Sequence, residues 1–472
     1  MCDRDHTPKV LVMLAAVLAV LLAAYWLPEI KFAGVSMRQV DIAGDLLGKP
    51  AGISSKSQKE EQLASIDTPN SSEPDDTVAT QSEIVTNPEP VKETKSATTQ
   101  DGITPILDYS NDNRGMQPFY NALKNKNGPV RVAVLGDSYI EGDIITAHLR
   151  EMLQDQYGGC GVGFVGMSSN ISGFRNSVKH TFGNWEYLSD IVSAGYKKQY
   201  AIISGEQFIP DSASWVELSG TKRYYTHLDA CEQSSVYFIS HAENEVTAYV
   251  NGDDWGQTFD VTASDEIQKL TVDGKINKIK WFIERGGEDY MFYGATMDSR
   301  SGVIVDNFPV RGAAGINLYN IEPGMISGFQ AVRPYDLVIL VYGLNVAQAD
   351  CTDYEYYKIG MLRTISKLKE NMPGAGFLLL SVGDRAQRVD GELSTMPGVI
   401  SLVGYQHEIA RKGGIAFWNT FEAMGGEGSI VEMAKSSPAQ ANTDYTHLTH
   451  QGGKKVAAEL FKAIQQGVKC SR

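Results

Sequence analysis

Uninterrupted apolar runs constrain this chain more than any other feature. Arg131–Leu135, Val303-Ile-Val-Asp306, Leu337-Val-Ile-Leu-Val341, Gly376-Phe-Leu-Leu-Leu-Ser381 and Ile415-Ala-Phe-Trp418 all read as strands with no polar face. Helix-period patterns separate the later ones, notably Tyr354–Met372 and Pro397–Arg411. A strand that is apolar on both sides must be covered on both sides. Strands alternating with helices achieve this by forming a parallel sheet between two helical layers. The expected fold class is therefore α/β with a parallel sheet.

Between the first strand and the rest the texture changes. Val236-Tyr-Phe-Ile239, Val246-Thr-Ala-Tyr-Val250, Lys278–Ile283 and Tyr290-Met-Phe-Tyr293 are strand-like and closely spaced. Asn251-Gly252, Asp273-Gly274 and Gly286-Gly287 supply turns between them. This patterning predicts an all-β sandwich, over 196–297, inserted into the α/β domain. The α/β parts are then 103–195 and 298–472.

Three short segments carry chemistry. Val132-Ala-Val-Leu-Gly-Asp-Ser-Tyr-Ile-Glu-Gly-Asp143 reads as strand, tight turn and helix, with Ser138 at the turn. Such a turn lifts a hydroxyl off the sheet edge toward the positive end of a helix, where a nucleophile is favoured. Val341-Tyr-Gly343-Leu-Asn345 places an amide beyond another strand, at the edge where open α/β sheets bind ligands. Asp444-Tyr-Thr-His447 puts a carboxylate three residues before an imidazole, ahead of a helical pattern over Lys454–Ile464. A carboxylate so placed can orient the ring and stabilise its cation. His450 could compete with His447 but lacks an acidic partner at the same spacing.

Gly-Asp-Ser, Gly-x-Asn and Asp-x-x-His, in this order, resemble blocks I, III and V of the SGNH (GDSL-type) hydrolase superfamily. The resemblance implies a flavodoxin-like three-layer fold. It also implies Ser138 as nucleophile, His447 as general base and Asp444 as its orienter. The oxyanion donors would be the Ser138 N–H, Asn345 and a glycine N–H in Asn307-Phe-Pro-Val-Arg-Gly312-Ala-Ala-Gly315, with Gly312 preferred and Gly315 the alternative. Gly136–Asp143, Leu149–Leu153 and Tyr157–Val165 further resemble bacterial exported SGNH enzymes acting on peptidoglycan O-acetyl groups. Those carry a β-sandwich similar to carbohydrate-binding modules between blocks I and II, and Phe292–Val305 resembles its exit. Tyr139 stands where these relatives often have His, which points to an altered substrate contact there.

The N-terminal region differs from the rest. Val10–Leu27 is uncharged and apolar, and follows Arg4 and Lys9. It reads as a transmembrane signal anchor over 10–27, with residues 1–9 cytoplasmic and the remainder exported. Tyr25, Trp26, Leu27 and Pro28 offer no small-residue cleavage site and suit a membrane interface better than a cleaved signal peptide. Residues 28–102 read as a disordered tether, dense in Ser, Thr, Glu, Lys, Pro and Asp from Ser54 to Gln100. About 60 such residues would reach roughly 40–45 Å. This predicts a single-pass protein of the cell inner membrane with a periplasmic catalytic domain.

The net charge of −15 argues against nucleic acid as a partner. No Cys-x-x-Cys or His-rich cluster suggests a metal, and no cofactor is implied. Cys160, Cys231, Cys351 and Cys470 read as free, buried thiols rather than a disulfide framework. Trp185, Trp215 and Trp281 read as core. Trp255, beside the Asn251-Gly252 turn, is the candidate to stack on a sugar ring. Asp253 and Asp254 read as turn acids, and His148, His180, His227, His241 and His407 as structural.

Three functions fit these readings. The first is an esterase that removes O-acetyl groups from an extracytoplasmic polysaccharide such as peptidoglycan, with an acetylated glycan as substrate. The second is a membrane-tethered O-acetyltransferase using the same acetyl-enzyme and a membrane acetyl-donor partner. The third is a non-catalytic carbohydrate-binding protein.

Overall fold

The computed structural model describes residues 31–32, 35–36, 102–125 and 128–471. The chain divides into Met1–Pro90 and Val91–Arg472. Within the first unit, Lys31–Phe32 pairs antiparallel with Val35–Ser36. The anchor expected at 10–27 lies outside the described residues, as does nearly all of the tether. Among the described residues no helix is long and apolar enough to cross a membrane.

In the second unit the five apolar runs become β1 (Pro129–Gly136), β2 (Gly302–Pro309), β3 (Leu337–Val341), β4 (Gly376–Leu380) and β5 (Ala416–Trp418). They pair parallel in the order 2-1-3-4-5, and Leu107–Asp108 closes the far edge antiparallel to β5. Successive side chains go to opposite faces, and each face has its own core. Val132, Val134, Ile339, Leu378 and Leu380 meet α1 (Gln117–Asn125), α2 (Thr146–Tyr157) and α6 (His450–Cys470). Ala133, Leu135, Val338, Leu340, Phe377 and Leu379 meet α3 (Pro323–Val332), α4 (Glu355–Asn371) and α5 (Pro397–Gly413). This is the three-layer arrangement that continuous apolar strands require.

The all-β region is larger than the 196–297 expected. Its nine-stranded sheet begins with Gly163–Val165 and Lys179–Ser189, and continues from Glu206–Ser219 to Tyr290–Met297. Among the described residues Lys179–Ser189 pairs only with Glu206–Ser219, so one of its edges is unpaired there, and four of its eleven residues are exposed. That edge position explains its polar sequence, which hid it. Glu206–Ser219 breaks at Asp211–Ala213, where Ala213 has φ +56°. Before the break Phe208 pairs with Phe292, and after it Ser214–Ser219 pairs with Lys278–Ile283. The sheet thus folds back on itself. Val216, Leu218, Ile279 and Trp281 on one side pack in one core with Phe208, Val236, Phe238 and Phe292 on the other.

The insertion does not hang free of the α/β domain. Phe164, Tyr237, Ile239, Met291 and Tyr293 share a core with Phe308, Phe329 and Leu340. Buried Arg333, at the end of α3, donates to both oxygens of Asp298 (2.6 and 3.0 Å) and both of Asp306 (2.6 and 2.8 Å). Asp298 follows the last insertion strand and Asp306 lies in β2, so one guanidinium ties the two parts together. Two buried carboxylates around one buried cation satisfy each other, and losing any member would strand a charge.

Candidate active site

The sheet order reverses between β1 and β3, which opens a crevice at their carboxyl ends. Gly136 ends β1 and pairs in register with Val341. A Cβ on Gly136 would sit 2.7 Å from the Val341 carbonyl oxygen, so only glycine lets the strands stay close here. The Asp137 N–H then donates to that same oxygen at 3.3 Å. Asp137 caps a 3-10 turn, Ser138–Asp143, by accepting the Tyr139 N–H at 2.9 Å. Ser138 is thereby the first residue of the turn, half-buried at the crevice.

His447 reaches Ser138 from a different part of the chain. Its Nε2 lies 3.1 Å from Ser138 Oγ, and its Nδ1 lies 2.7 Å from Asp444 Oδ2. Asp444 Oδ1 accepts the backbone N–H groups of Thr446 and His447, both at 3.0 Å. Burial works to raise the Asp444 pKa, but these hydrogen bonds outweigh it and hold the carboxyl below its ordinary range. An Ala441–Leu448 bridge closes the loop, the Asn442 N–H donates to the His447 carbonyl at 2.8 Å, and Tyr445 sits at φ +50°. Thr449 then caps α6. Ser138, His447 and Asp444 are thus joined by hydrogen bonds, 306 or more positions apart for the serine, as the residue spacing within Asp-x-x-His had suggested for the pair.

Asn345 follows β3. Its Nδ2 donates to Asp137 Oδ2 (3.2 Å) and to the Ala313 carbonyl (3.0 Å). These bonds draw the loops after β1, β2 and β3 to one place. The Val310 N–H donates to the Gly136 carbonyl at 2.9 Å, which pins the β2 loop just before Gly312. Gly312 is half-buried with φ +81°. Among the described residues, no acceptor faces the N–H of Ser138 or that of Gly312. Gly315 is buried at φ +86°, and a Cβ there would strike the Tyr342 ring at 2.7 Å. It starts the turn Ile316–Asn320, farther along the loop than the residue whose carbonyl meets Asn345.

Asp137 was not singled out from the sequence. Burial pushes its pKa up to about 7, against the opposing influence of the Tyr139 N–H, His447 and Asn345. The sequence signal was its place in Gly-Asp-Ser, but nothing local shows that the carboxylate points inward to Asn345.

Two other expectations fare differently. Tyr139, expected to contact substrate, is nearly buried: it is 5% exposed, and its hydroxyl donates to Met424 Sδ at 3.3 Å. The 3-10 turn sends adjacent residues to different sides, so Ser138 faces out and Tyr139 faces the core. Trp255 is 89% exposed on the turn before Gln257–Val261. Trp281 is fully buried, and Trp185 donates to the Trp215 carbonyl at 2.9 Å. His450 does not approach Ser138 by hydrogen bond: its Nε2 meets Asn176 Nδ2 at 3.2 Å. Cys160, Cys231, Cys351 and Cys470 are free.

The fold is that of a solved peptidoglycan O-acetylesterase, with 21% identity, a TM-score of 0.63, and coverage of 78% of this chain and 99% of that chain. A family two carbohydrate esterase from Clostridium thermocellum in complex with cellohexaose is similar at 13% identity over 60% of this chain and 99% of that chain, with a TM-score of 0.28. The acetyl xylan esterase AlAXEase is similar at 15% identity over 34% of this chain and 81% of that chain, with a TM-score of 0.26. No protein-family model matches the sequence, and no curated protein matches it.

Proposed function

We propose that this protein is an SGNH-type serine esterase that removes O-acetyl groups from an extracytoplasmic polysaccharide, with peptidoglycan as the glycan. The observation that carries the reading is the continuous hydrogen-bonded path from Ser138 Oγ through His447 to Asp444. Ser138 Oγ attacks the acetyl carbonyl while His447 Nε2 takes its proton. The imidazolium formed is held by Asp444 through Nδ1–H. His447 then returns the proton to the departing sugar oxygen, and water resolves the acetyl-enzyme by the same route.

The negative oxygen of the tetrahedral intermediate takes hydrogen bonds from the Ser138 N–H, the Gly312 N–H and Asn345 Nδ2. Of the two present Asn345 bonds, the one to Asp137 is the longer. That hydrogen is the one to turn onto the oxyanion, because the growing charge makes the better acceptor. The Ala313 carbonyl keeps the amide in place meanwhile. The esterase on which the fold is matched acts on peptidoglycan, and the apolar run Val10–Leu27 supports a membrane-tethered, outward-facing setting.

Acetate release from an aryl acetate tests the chemistry. The wild-type chain turns over and Ser138→Ala does not; no wild-type turnover would sink the enzymatic reading. A transferase remains the second reading, since Asp444 and His447 are 47% and 38% exposed at their side chains and leave room for an acceptor hydroxyl as well as water. An acetylated sugar product from donor ester plus chito-oligosaccharide would establish transfer, and free acetate alone establishes hydrolysis.

A further inference from the structure

A cleft of about 290 Å³ lies beside the Ser138 turn, and its walls come from both parts of the chain. Glu141 and Gly142 of the turn, and Asn307, Pro309 and Arg311 of the loop after β2, form one side. Residues 168–172, His180, Tyr187 and Glu206 of the insertion form the other. Arg175, at the end of the 168–175 loop, fixes this loop to the catalytic turn through Asp143 (2.9 Å). Phe174 packs where a Cβ on Gly142 would have been.

Three residues lining this cleft carry a buried side-chain atom without a hydrogen-bond partner: His180 Nε2 and Asn307 Oδ1, which are acceptors, and Arg175 Nη2, which is a donor. His180 is 7% exposed, and its Nε2 has no hydrogen-bond partner. Its ring bonds the backbone of Met167, and burial lowers its pKa to about 4, so it is neutral with one nitrogen left as an acceptor. Asn307 is 6% exposed. Its Nδ2 donates to the Ile140 carbonyl at 2.9 Å, which leaves Oδ1 buried and unpartnered. Glu206 Oε1 accepts from the Tyr187 hydroxyl at 3.0 Å. Both cations are ion-paired, Arg175 with Asp143 and Arg311 with Glu141 (2.5 Å). Unpaired buried polar atoms are costly, and two of these three are acceptors, so a ligand that brings donors along with an acceptor fits best. An acyl chain has none. A phosphate or carboxylate brings acceptors to the two unpaired acceptors and would face the Glu141 carboxylate as well. A neutral sugar ring brings several hydroxyl or amide donors.

We propose that this cleft binds one neutral sugar residue of the glycan, with His180 Nε2 and Asn307 Oδ1 as acceptors for its hydroxyl or amide donors. On this account the insertion builds part of the site itself, in addition to whatever its exposed Trp255 turn does. The proposal deepens the esterase reading, which it needs only for the relation of the bound ring to Ser138.

Binding without turnover separates the two. Titration calorimetry of the full chain carrying Ser138→Ala in detergent, with chitotriose as probe, gives saturable binding. Adding His180→Leu weakens Kd about tenfold, the loss of one buried hydrogen bond. Adding Ser172→Trp, on the cleft rim, abolishes binding by filling the space. If circular dichroism shows that His180→Leu does not fold, Ser172→Trp carries the test. Absence of saturable binding in the millimolar range overturns the proposal. So does a Kd within about twofold of the parent for Ser172→Trp, and in that case loss of binding in Trp255→Ala would place the sugar on the sandwich turn instead. Aryl acetate turnover by the wild-type chain is read separately, so a failed cleft and a failed esterase cannot be confused.

Discussion

The two loops that meet at the active site are built in opposite ways. The Ser138 turn is locked from behind by buried groups. Asp137 and Asp143 are both 1% exposed, and Gly136 is pressed against the next strand. Asp143, at the end of the turn and at φ +64°, accepts from Thr146 (2.7 Å), Arg150 (3.3 Å), Arg175 (2.9 Å) and Ser177. The Asp444–His447 loop has no such backing. Its carboxylate is half in water and is held by two backbone N–H groups and the imidazole. A nucleophile must sit at a fixed place relative to the oxyanion donors. The base needs only the right tautomer and direction, which a short local turn supplies.

The largest expected effect lies where both loops act. Ser138→Ala should lower kcat on an aryl acetate by about 10⁴-fold or more, with the residual rate set by binding and the oxyanion site. Nearly unchanged turnover would mean that the Ser138–His447 contact is not the catalytic one. The next effect belongs to the rigid loop alone. Asp143→Asn should destabilise the fold by roughly 3–5 kcal/mol in urea unfolding, because fully buried Arg150 loses its ionic partner. Burial works against ionised Asp143, but Arg175 and Arg150 outweigh it and hold its pKa far below the ordinary carboxylate value. The sign follows from that depression. The stabilisation is complete above the unfolded pKa of about 4, and declines as pH falls from there toward the folded value. The wild-type chain should therefore lose stability on acidification through this window, and Asp143→Asn should show a shallower slope.

The same contrast explains what the sequence could reveal. Leu337–Val341 and Lys278–Ile283 are found at the residues their patterns predict, because each run is uniform or alternating and bounded by turn chemistry. The Asp444–His447 pair was legible because its partners are three residues apart, a distance that a single turn bridges. The backing of the Ser138 turn was not. Arg150 and Arg175 are seven and 32 positions from Asp143, and nothing local marks either as its partner. Lys179–Ser189 was missed for a related reason: an edge strand keeps polar residues, so its pattern blends with a loop. The burial of Tyr139 was not legible, because its neighbour's exposure says nothing about a side chain one step along a 3-10 turn. The cleft residues His180 and Glu206 depend on that missed strand and on the one beside it.

Asn345 lies between the two loops in the size of its effect. Asn345→Ala should lower kcat by about 10²–10³-fold if its amide serves the oxyanion. Its bonds to Asp137 and Ala313 also brace the crevice, so the effect on kcat must exceed the effect on stability to support the donor role. A fall in kcat that rescaling for lost folded protein fully explains would reduce Asn345 to a brace.

The smallest stability effect is expected at Asp444. Its partner His447 is partly exposed, as it is itself, and solvent-screened pairs of this kind contribute about 0–1 kcal/mol. Asp444→Asn should thus leave the urea midpoint nearly where it was while kcat falls by orders of magnitude, since the imidazole loses both its orienter and its counter-charge. That stability outcome is the opposite of the one for Asp143→Asn. If Asp444→Asn instead unfolded the chain as readily as Asp143→Asn, the base loop would be a structural keystone, and the division between a rigid nucleophile turn and a locally held base would fail.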